Sequence, residues 1–198
     1  EQNPDGDLLG HVIDLREPVA ENTVRLYKTA ANIDYHCDAA DVVGLLCLRK
    51  ARTGGKSRIV SSVAVFNELL RRRPELTPRL FEPVHLDIRD KEVNEAGSTL
   101  LIPPCCYADG NLRTFYHADY FRSAVRHDDV PPLTQDEQAL FDAYESIAME
   151  EGMYLDMDLQ PGDIQLLSNH TNLHARTAYE DFADPQQRRH LLRLWLSL

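Results

Sequence analysis

Two short stretches of the sequence bring together residue types that can do chemistry. His36-Cys37-Asp38 closes an apolar stretch, Ile33 to Asp38, that reads as a strand. Residues i and i+2 of a strand share a face, so His36 and Asp38 can reach one ion while Cys37 points away. An imidazole nitrogen with a carboxylate oxygen suits a divalent transition metal, and one further histidine would complete a two-histidine, one-carboxylate set with open coordination positions. Taken alone, an HxD tripeptide is more often what a solvated surface supplies by chance than a ligand pair. The second stretch, Asn169-His170-Thr171-Asn172-Leu173-His174-Ala175-Arg176, follows a strand and offers two histidines four apart. The zinc-protease pattern HExxH is excluded, because Thr171 stands where the glutamate general base would be. Spacing leaves His170 and His174 equivalent as a third ligand.

The C-terminal segment contributes cations. Along a strand, Arg189, Leu191, Arg193 and Trp195 share one face, and His190, Leu192, Leu194 and Leu196 share the other. Apolar residues on both faces describe a strand covered on two sides, where a guanidinium has to be paired because an unpaired buried cation is very costly. The planar guanidinium fork grips carboxylates in bidentate fashion, so this face suits one or two small carboxylates. An edge strand with both arginines in water fits the spacing equally well.

The elements that must position these groups switch between strand and helix periodicity. Val42 to Lys50 is a nearly continuous apolar run suited to a central strand, Thr53-Gly54-Gly55 breaks the chain, and Ser57 to Ser61 is a short strand. Ser62 is predicted to cap a helix through Leu70 that ends near Arg71-Arg72-Arg73-Pro74, the basic triplet complementing the helix dipole. A hairpin is predicted from Leu100 to Tyr107 and Leu112 to Tyr116 around Ala108-Asp109-Gly110-Asn111. Thr134 and Glu137 form a capping box for a helix whose stripe is Leu140, Tyr144, Ile147 and Ala148. Strands return from Met153, turn at Gln160-Pro161-Gly162-Asp163, and continue through IQLLS and RHLLRLWLSL. The pattern predicts a mainly β, α+β fold, a barrel or sandwich decorated by helices.

Composition narrows the function classes. With 198 residues, one domain is expected, and 43% hydrophobic with 27% charged residues describes a folded globular chain. A net charge of −11 argues against a nucleic-acid or anionic-membrane binder, which would present a basic face. The start Glu1-Gln2-Asn3-Pro4-Asp5 lacks the basic-then-apolar order of a signal peptide, and no apolar run is long enough to span a bilayer, so a cytoplasmic protein is expected. Cys37, Cys47, Cys105 and Cys106 contain no CxxC pair and are expected to be reduced, mostly buried thiols.

Taken together, YHCDAADVVGLLCLRKARTGGKSRIVSS, LDMDLQPGDIQLLSNHTNLHARTAYED and RRHLLRLWL resemble the taurine dioxygenase family of iron(II)/2-oxoglutarate-dependent oxygenases, within the clavaminate synthase-like superfamily. The likeness runs from about His11 to the C-terminus. It implies a double-stranded β-helix (jelly roll), iron(II) in its mouth, and decarboxylation of 2-oxoglutarate by dioxygen coupled to oxidation of a second substrate. By the same resemblance, His36, Asp38 and His174 are the iron ligands. Arg189, fifteen residues after His174, grips the distal carboxylate of 2-oxoglutarate with help from Ser57. Arg193 meets an acidic group of the prime substrate, expected to be a small anionic or amino-acid-like molecule. Retention of Asp38 favours hydroxylation or desaturation over halogenation, since halogenating relatives replace that carboxylate. The HxD motif lies early compared with similar proteins, so residues 1–198 are expected to be a single oxygenase domain forming the C-terminal part of a longer chain. Two further classes stand beside this expectation: a jelly-roll homologue that binds a metabolite without turnover, and a metal-dependent oxygenase or isomerase that uses no keto acid. The latter leaves Arg189 and Ser57 without a role.

Overall fold

The computed structural model describes residues 7–16, 26–89 and 97–198, and the start Glu1-Gln2-Asn3-Pro4-Asp5 lies outside them. In chain order the strands and helices are β1 (Gly10–Val12), β2 (Ile33–His36), β3 (Val42–Arg49), β4 (Thr53–Gly54), β5 (Ser57–Ser61), α1 (Ser62–Arg72), β6 (Val84–Asp87) and β7 (Thr99–Ile102). They continue with β8 (Cys105–Ala108), β9 (Asn111–Thr114), α2 (Ala118–Ser123), α3 (Gln135–Ala148), β10 (Tyr154–Met157), β11 (Ile164–Ser168), β12 (Asn172–Arg176), β13 (Tyr179–Glu180) and β14 (His190–Leu196). Strands predominate, and among the described residues no helix is long and apolar enough to cross a membrane.

Two four-stranded sheets carry the architecture, one ordered β1-β14-β3-β11 and the other β10-β5-β12-β2, with every pairing antiparallel. The apolar run of β3 takes an inner place between β14 and β11, as its composition predicts. β14 also lies inside its sheet, between β1 and β3, which rules out the edge-strand alternative for Arg193, and Arg189, just before β14, is buried rather than in water. In the second sheet the period of two decides the destination of each side chain. Tyr35 and Leu173 face a core shared with the helices, and their chain neighbours His36 and His174 face the other way, into a cavity between the sheets.

The helices cover the outer side of the second sheet. Leu140, Phe141, Tyr144, Ile147 and Ala148 of α3 are all buried, and Phe141 stacks on Phe121 of α2 with ring centroids 5.3 Å apart. Thr134 Oγ1 accepts from the Glu137 backbone N–H at 3.2 Å, while the Glu137 carboxylate accepts from the Thr134 N–H at 2.7 Å, completing the predicted capping box. At α1 the cap is Ser61 rather than Ser62. Ser61 is exposed and its Oγ can turn back to the Ala64 N–H, whereas Ser62 is packed in the core.

The predicted long hairpin divides in two. Pro103 and Pro104 supply no N–H to a ladder and interrupt the first strand, so β7 pairs with β6 and only β8 pairs with β9. Asp109 and Gly110, both at positive φ, form the two-residue turn between β8 and β9. Likewise Thr53-Gly54 is a short strand paired with β13 rather than a plain break. Asp87 closes β6 and is fully buried; burial raises its carboxyl, but Arg126, the Arg89 backbone N–H and Ser123 outweigh this and hold it below the usual range. All four cysteines are free, and Cys106 alone of them is exposed.

Truncating a buried side chain of α3 should cost far more than removing its cap. Leu140→Ala is expected to destabilise by about 2–5 kcal/mol through cavity formation, and Thr134→Ala by about 1 kcal/mol, both read from urea denaturation midpoints. Equal costs would contradict the packing described for this helix.

Candidate metal centre

The pairing of β12 with β2 sets His174 directly opposite His36, and the chain leaving β2 brings Asp38 to the same point. One donor atom from each of His36, Asp38 and His174 lies within 4.8 Å of the others, the group of that kind found among the described residues. Asp38 Oδ1 is 3.9 Å from His36 Nε2, and Asp38 Oδ2 is 3.6 Å from His174 Nε2. The His36 Nδ1 bonds to the Asp34 carbonyl at 2.8 Å, which commits that nitrogen and turns Nε2 toward the cluster. Trp195 Nε1 donates to Asp38 Oδ2 at 2.8 Å and fixes the carboxylate's orientation. His170 lies elsewhere: its Nε2 is 2.6 Å from Asp41 Oδ1, which separates it from His174.

Electrostatics keep His36 and Asp38 in their metal-binding forms. Burial, reinforced by neighbouring His174, pushes His36 down to about 4 and keeps its imidazole neutral. Burial alone would raise Asp38, but His174, Arg193 and His36 together hold it well below the usual carboxylate range. Two imidazoles and one carboxylate, with no second carboxylate in the cluster among the described residues, are the donor set of non-haem iron(II) sites with open positions. The residues present therefore fit such an ion.

Next to this cluster lies a pocket of about 530 Å³ including its mouth, lined among others by Ser57, Arg176, Arg189 and Arg193. Arg189 is 5% exposed, lies over the Tyr179 ring at 5.2 Å, and its Nη1 has no hydrogen-bond partner. Arg176, opposite Ser57 in the β12–β5 register, is 6% exposed with Nε and Nη1 unpartnered, while Nη2 bonds to the carbonyls of Thr29 and Ala31. Burial lowers both guanidinium groups, Arg176 to about 10 with Arg189 adding to the effect. Two desolvated cations with unused donors in one cavity make it a receptor for an anion. Gly55, at φ +71°, makes the space: a Cβ there would lie 3.1 Å from Arg189 Nε. Ser57 Oγ is 2.7 Å from Gln165 Oε1.

Arg193 sits between two rings, 4.8 Å from Tyr27 and 4.2 Å from Trp195, with Nη1 3.8 Å from Asp38 Oδ1. The sequence placed Trp195 on the arginine face without giving it a task, and Arg176 stood two residues after His174, on the same strand face. Tyr27 and His117, whose ring lies 5.0 Å from that of His36, had no local signal, since only the tertiary fold brings them in. Cys37 is buried beside the cluster, and burial pushes its thiol up to about 12, which makes it a packing residue and not a reactive thiolate.

A buried two-histidine, one-carboxylate cluster beside an arginine-lined pocket, between two antiparallel sheets, has the donor set that a non-haem iron protein requires. The family described as "Taurine catabolism dioxygenase TauD, TfdA family" matches residues 3–195, and the chain belongs to it. "FR-33289 synthase" of Streptomyces rubellomurinus (strain ATCC 31215) is 30% identical over 200 residues, covering 100% of this chain and 59% of that protein. "Taurine hydroxylase-like protein SAT17" of Stachybotrys chartarum (strain CBS 109288 / IBT 7711) is 31% identical over 202 residues, covering 98% of this chain and 51% of that protein. The chain thus spans little more than half the length of these relatives. An asparagine oxygenase solved with Fe(II), 2S,3S-3-hydroxyasparagine and succinate superposes at a TM-score of 0.72 and 18% identity, covering 96% of this chain and 56% of that one. The non-haem iron oxygenase OrfP with Fe and alpha-ketoglutaric acid superposes at 0.68 and 16% identity, covering 98% of this chain and 57% of that one. These structures share the fold.

Alanine at any one of His36, Asp38 or His174 is expected to weaken manganese(II) or iron(II) binding by more than the roughly 10–100-fold that loss of an outer partner costs. His170→Ala should leave it unchanged in the same anaerobic calorimetric titration. Comparable losses at His170 would place the metal elsewhere.

Proposed function

We propose that residues 1–198 act as one oxygenase domain, a double-stranded β-helix that binds iron(II) and 2-oxoglutarate and uses dioxygen to hydroxylate or desaturate a small carboxylate-bearing molecule. For hydroxylation the balance is substrate C–H, dioxygen and 2-oxoglutarate going to substrate C–OH, succinate and carbon dioxide. The observation that carries this is the convergence of His36, Asp38 and His174 with Ser57 and Arg189 on one cavity. The family membership and the oxygenase fold support it. Iron(II), when bound, supplies the redox chemistry that couples decarboxylation of the keto acid to oxidation of the C–H bond.

Each protein group has a separate task. His36, Asp38 and His174 hold the metal, with the Asp34 carbonyl and the Trp195 indole fixing two of them in orientation. Arg189 takes the distal carboxylate of 2-oxoglutarate in a water-poor wall, where a charge-assisted pair is strong. Ser57 helps it. Half a turn of the Gln165 amide lets its Nε2, unpartnered in the free protein, donate to Ser57 Oγ and frees the serine proton for that carboxylate. Arg193, held between Tyr27 and Trp195, orients an acidic group of the prime substrate near the metal. The hydroxyasparagine bound to asparagine oxygenase and the hydroxyarginine bound to OrfP support an amino-acid-like substrate.

Anaerobic addition of iron(II) and then 2-oxoglutarate is expected to produce the weak visible charge-transfer band of a chelated keto acid. Arg189→Ala should raise the 2-oxoglutarate concentration needed by about 10-fold or more, the worth of a hydrogen bond to a charged group. Arg193→Ala should leave the band intact while weakening the prime substrate's enhancement of succinate release. A metal-bound protein with no band would instead be a metal enzyme that uses no keto acid.

A further inference from the structure

On the far side of the metal cluster a second pocket, about 970 Å³ with its mouth, opens between the sheets and the β6–β7 pair. Its lining holds Asp38 and Arg193 at the metal cluster and a chain of rings, His117 then Tyr120, that leads away from His36 to Arg89. Arg89 lies over the Tyr120 ring at 4.1 Å, Tyr120 stacks on His117 at 3.6 Å, and His117 lies against His36 at 5.0 Å. This stack fixes a guanidinium at a set distance from the metal cluster. The Arg89 backbone is held at φ +52°, a conformation unusual for a side chain of this size, by its N–H bond to the Asp87 carboxylate at 2.9 Å. Its Nε is buried without a partner, and among the described residues Arg89 forms no ion pair. Among the described residues, the one carboxylate lining the pocket is Asp38, which belongs to the metal cluster.

A buried donor on a cation facing a cavity costs free energy until an acceptor arrives. Arg193 marks one anionic position beside the metal, and Arg89, at the end of the ring chain leading away from His36, marks a second. We propose that the prime substrate carries two acidic groups, the near one on Arg193 and the far one on Arg89, with the oxidised carbon between them. The proposal rests on the oxygenase activity proposed above and specifies the class of its substrate. Arg89 is thereby a specificity-determining residue, and a substrate with a single acidic end binds without filling the far contact.

The test uses the protein loaded anaerobically with iron(II) and excess 2-oxoglutarate, so that the Arg189 side is filled. Straight-chain dicarboxylates from glutarate to suberate are titrated by calorimetry beside monocarboxylates of the same chain length, on the parent, Arg89→Gln and Arg89→Lys. The best dicarboxylate is expected to bind at least about tenfold more tightly than its matched monocarboxylate, the gain from one further charge-assisted contact. Arg89→Gln should abolish that margin, Arg89→Lys should keep part of it, and all three proteins should show the same visible band. No margin at any length, or a margin unaffected by Arg89→Gln, overturns the proposal. The margin depends on Arg89 and the band on the metal cluster with Arg189, so a missing band in the parent refutes the oxygenase activity separately, and the comparison across the Arg89 variants still decides the two-acid pocket.

Discussion

The register of β12 between β5 and β2 is the constraint on which the rest of the structure depends. It sets His174 opposite His36 and Arg176 opposite Ser57, joining the metal cluster to the anion pocket through one strand. A slip of one residue would exchange His174 for Leu173, opening a hole in the helical core and placing a leucine where a ligand belongs. The core therefore enforces the register, and the register assembles the site. The irregularity between His174 and Arg176 in the β2 pairing lets the chain continue to Arg176 without losing that alignment.

Charge placement follows a second rule. The chain as a whole carries −11, yet among the described residues the cavity walls hold Arg176, Arg189 and Arg193 against a single carboxylate, Asp38. An anionic ligand is drawn in by these local cations and not by the overall field, which repels it. The cations are tolerated in the free protein because each is partly accommodated: Arg176 by backbone carbonyls, Arg193 by two aromatic faces, and Arg189 by the Tyr179 ring. Arg176 Nε and Nη1 and Arg189 Nη1 have no hydrogen-bond partner, a preorganised deficit that a bound carboxylate would relieve.

Part of the candidate site was legible in the sequence because its residues sit on, or just beyond, single strands with a period of two, Asp38 following β2 and Arg189 preceding β14. Spacing put His36 with Asp38, and Arg189 with Arg193, on common faces while leaving a solvated surface and an edge strand open, and Thr134 with Glu137 announced α3. The choice between His170 and His174 needed either the family resemblance or the tertiary pairing, since both are compatible with any local rule. Less was legible where partners are distant. The division of the Leu100–Tyr107 run turned on Pro103-Pro104, and the pairing of β7 with β6 spans residues with no hairpin signal. Tyr27, Gln165 and Arg89 gained roles only from packing, which no window of sequence contains.

The central claim, that one cavity holds both the metal and the keto acid, is tested most directly by anomalous diffraction at the iron edge. The crystals would be grown anaerobically with iron(II) and 2-oxoglutarate. The account predicts one iron peak at about 2 Å from His36 Nε2, Asp38 and His174 Nε2, with the keto acid's distal carboxylate on Arg189. Iron at His170 and Asp41, or a keto acid bound away from Arg189, would contradict it.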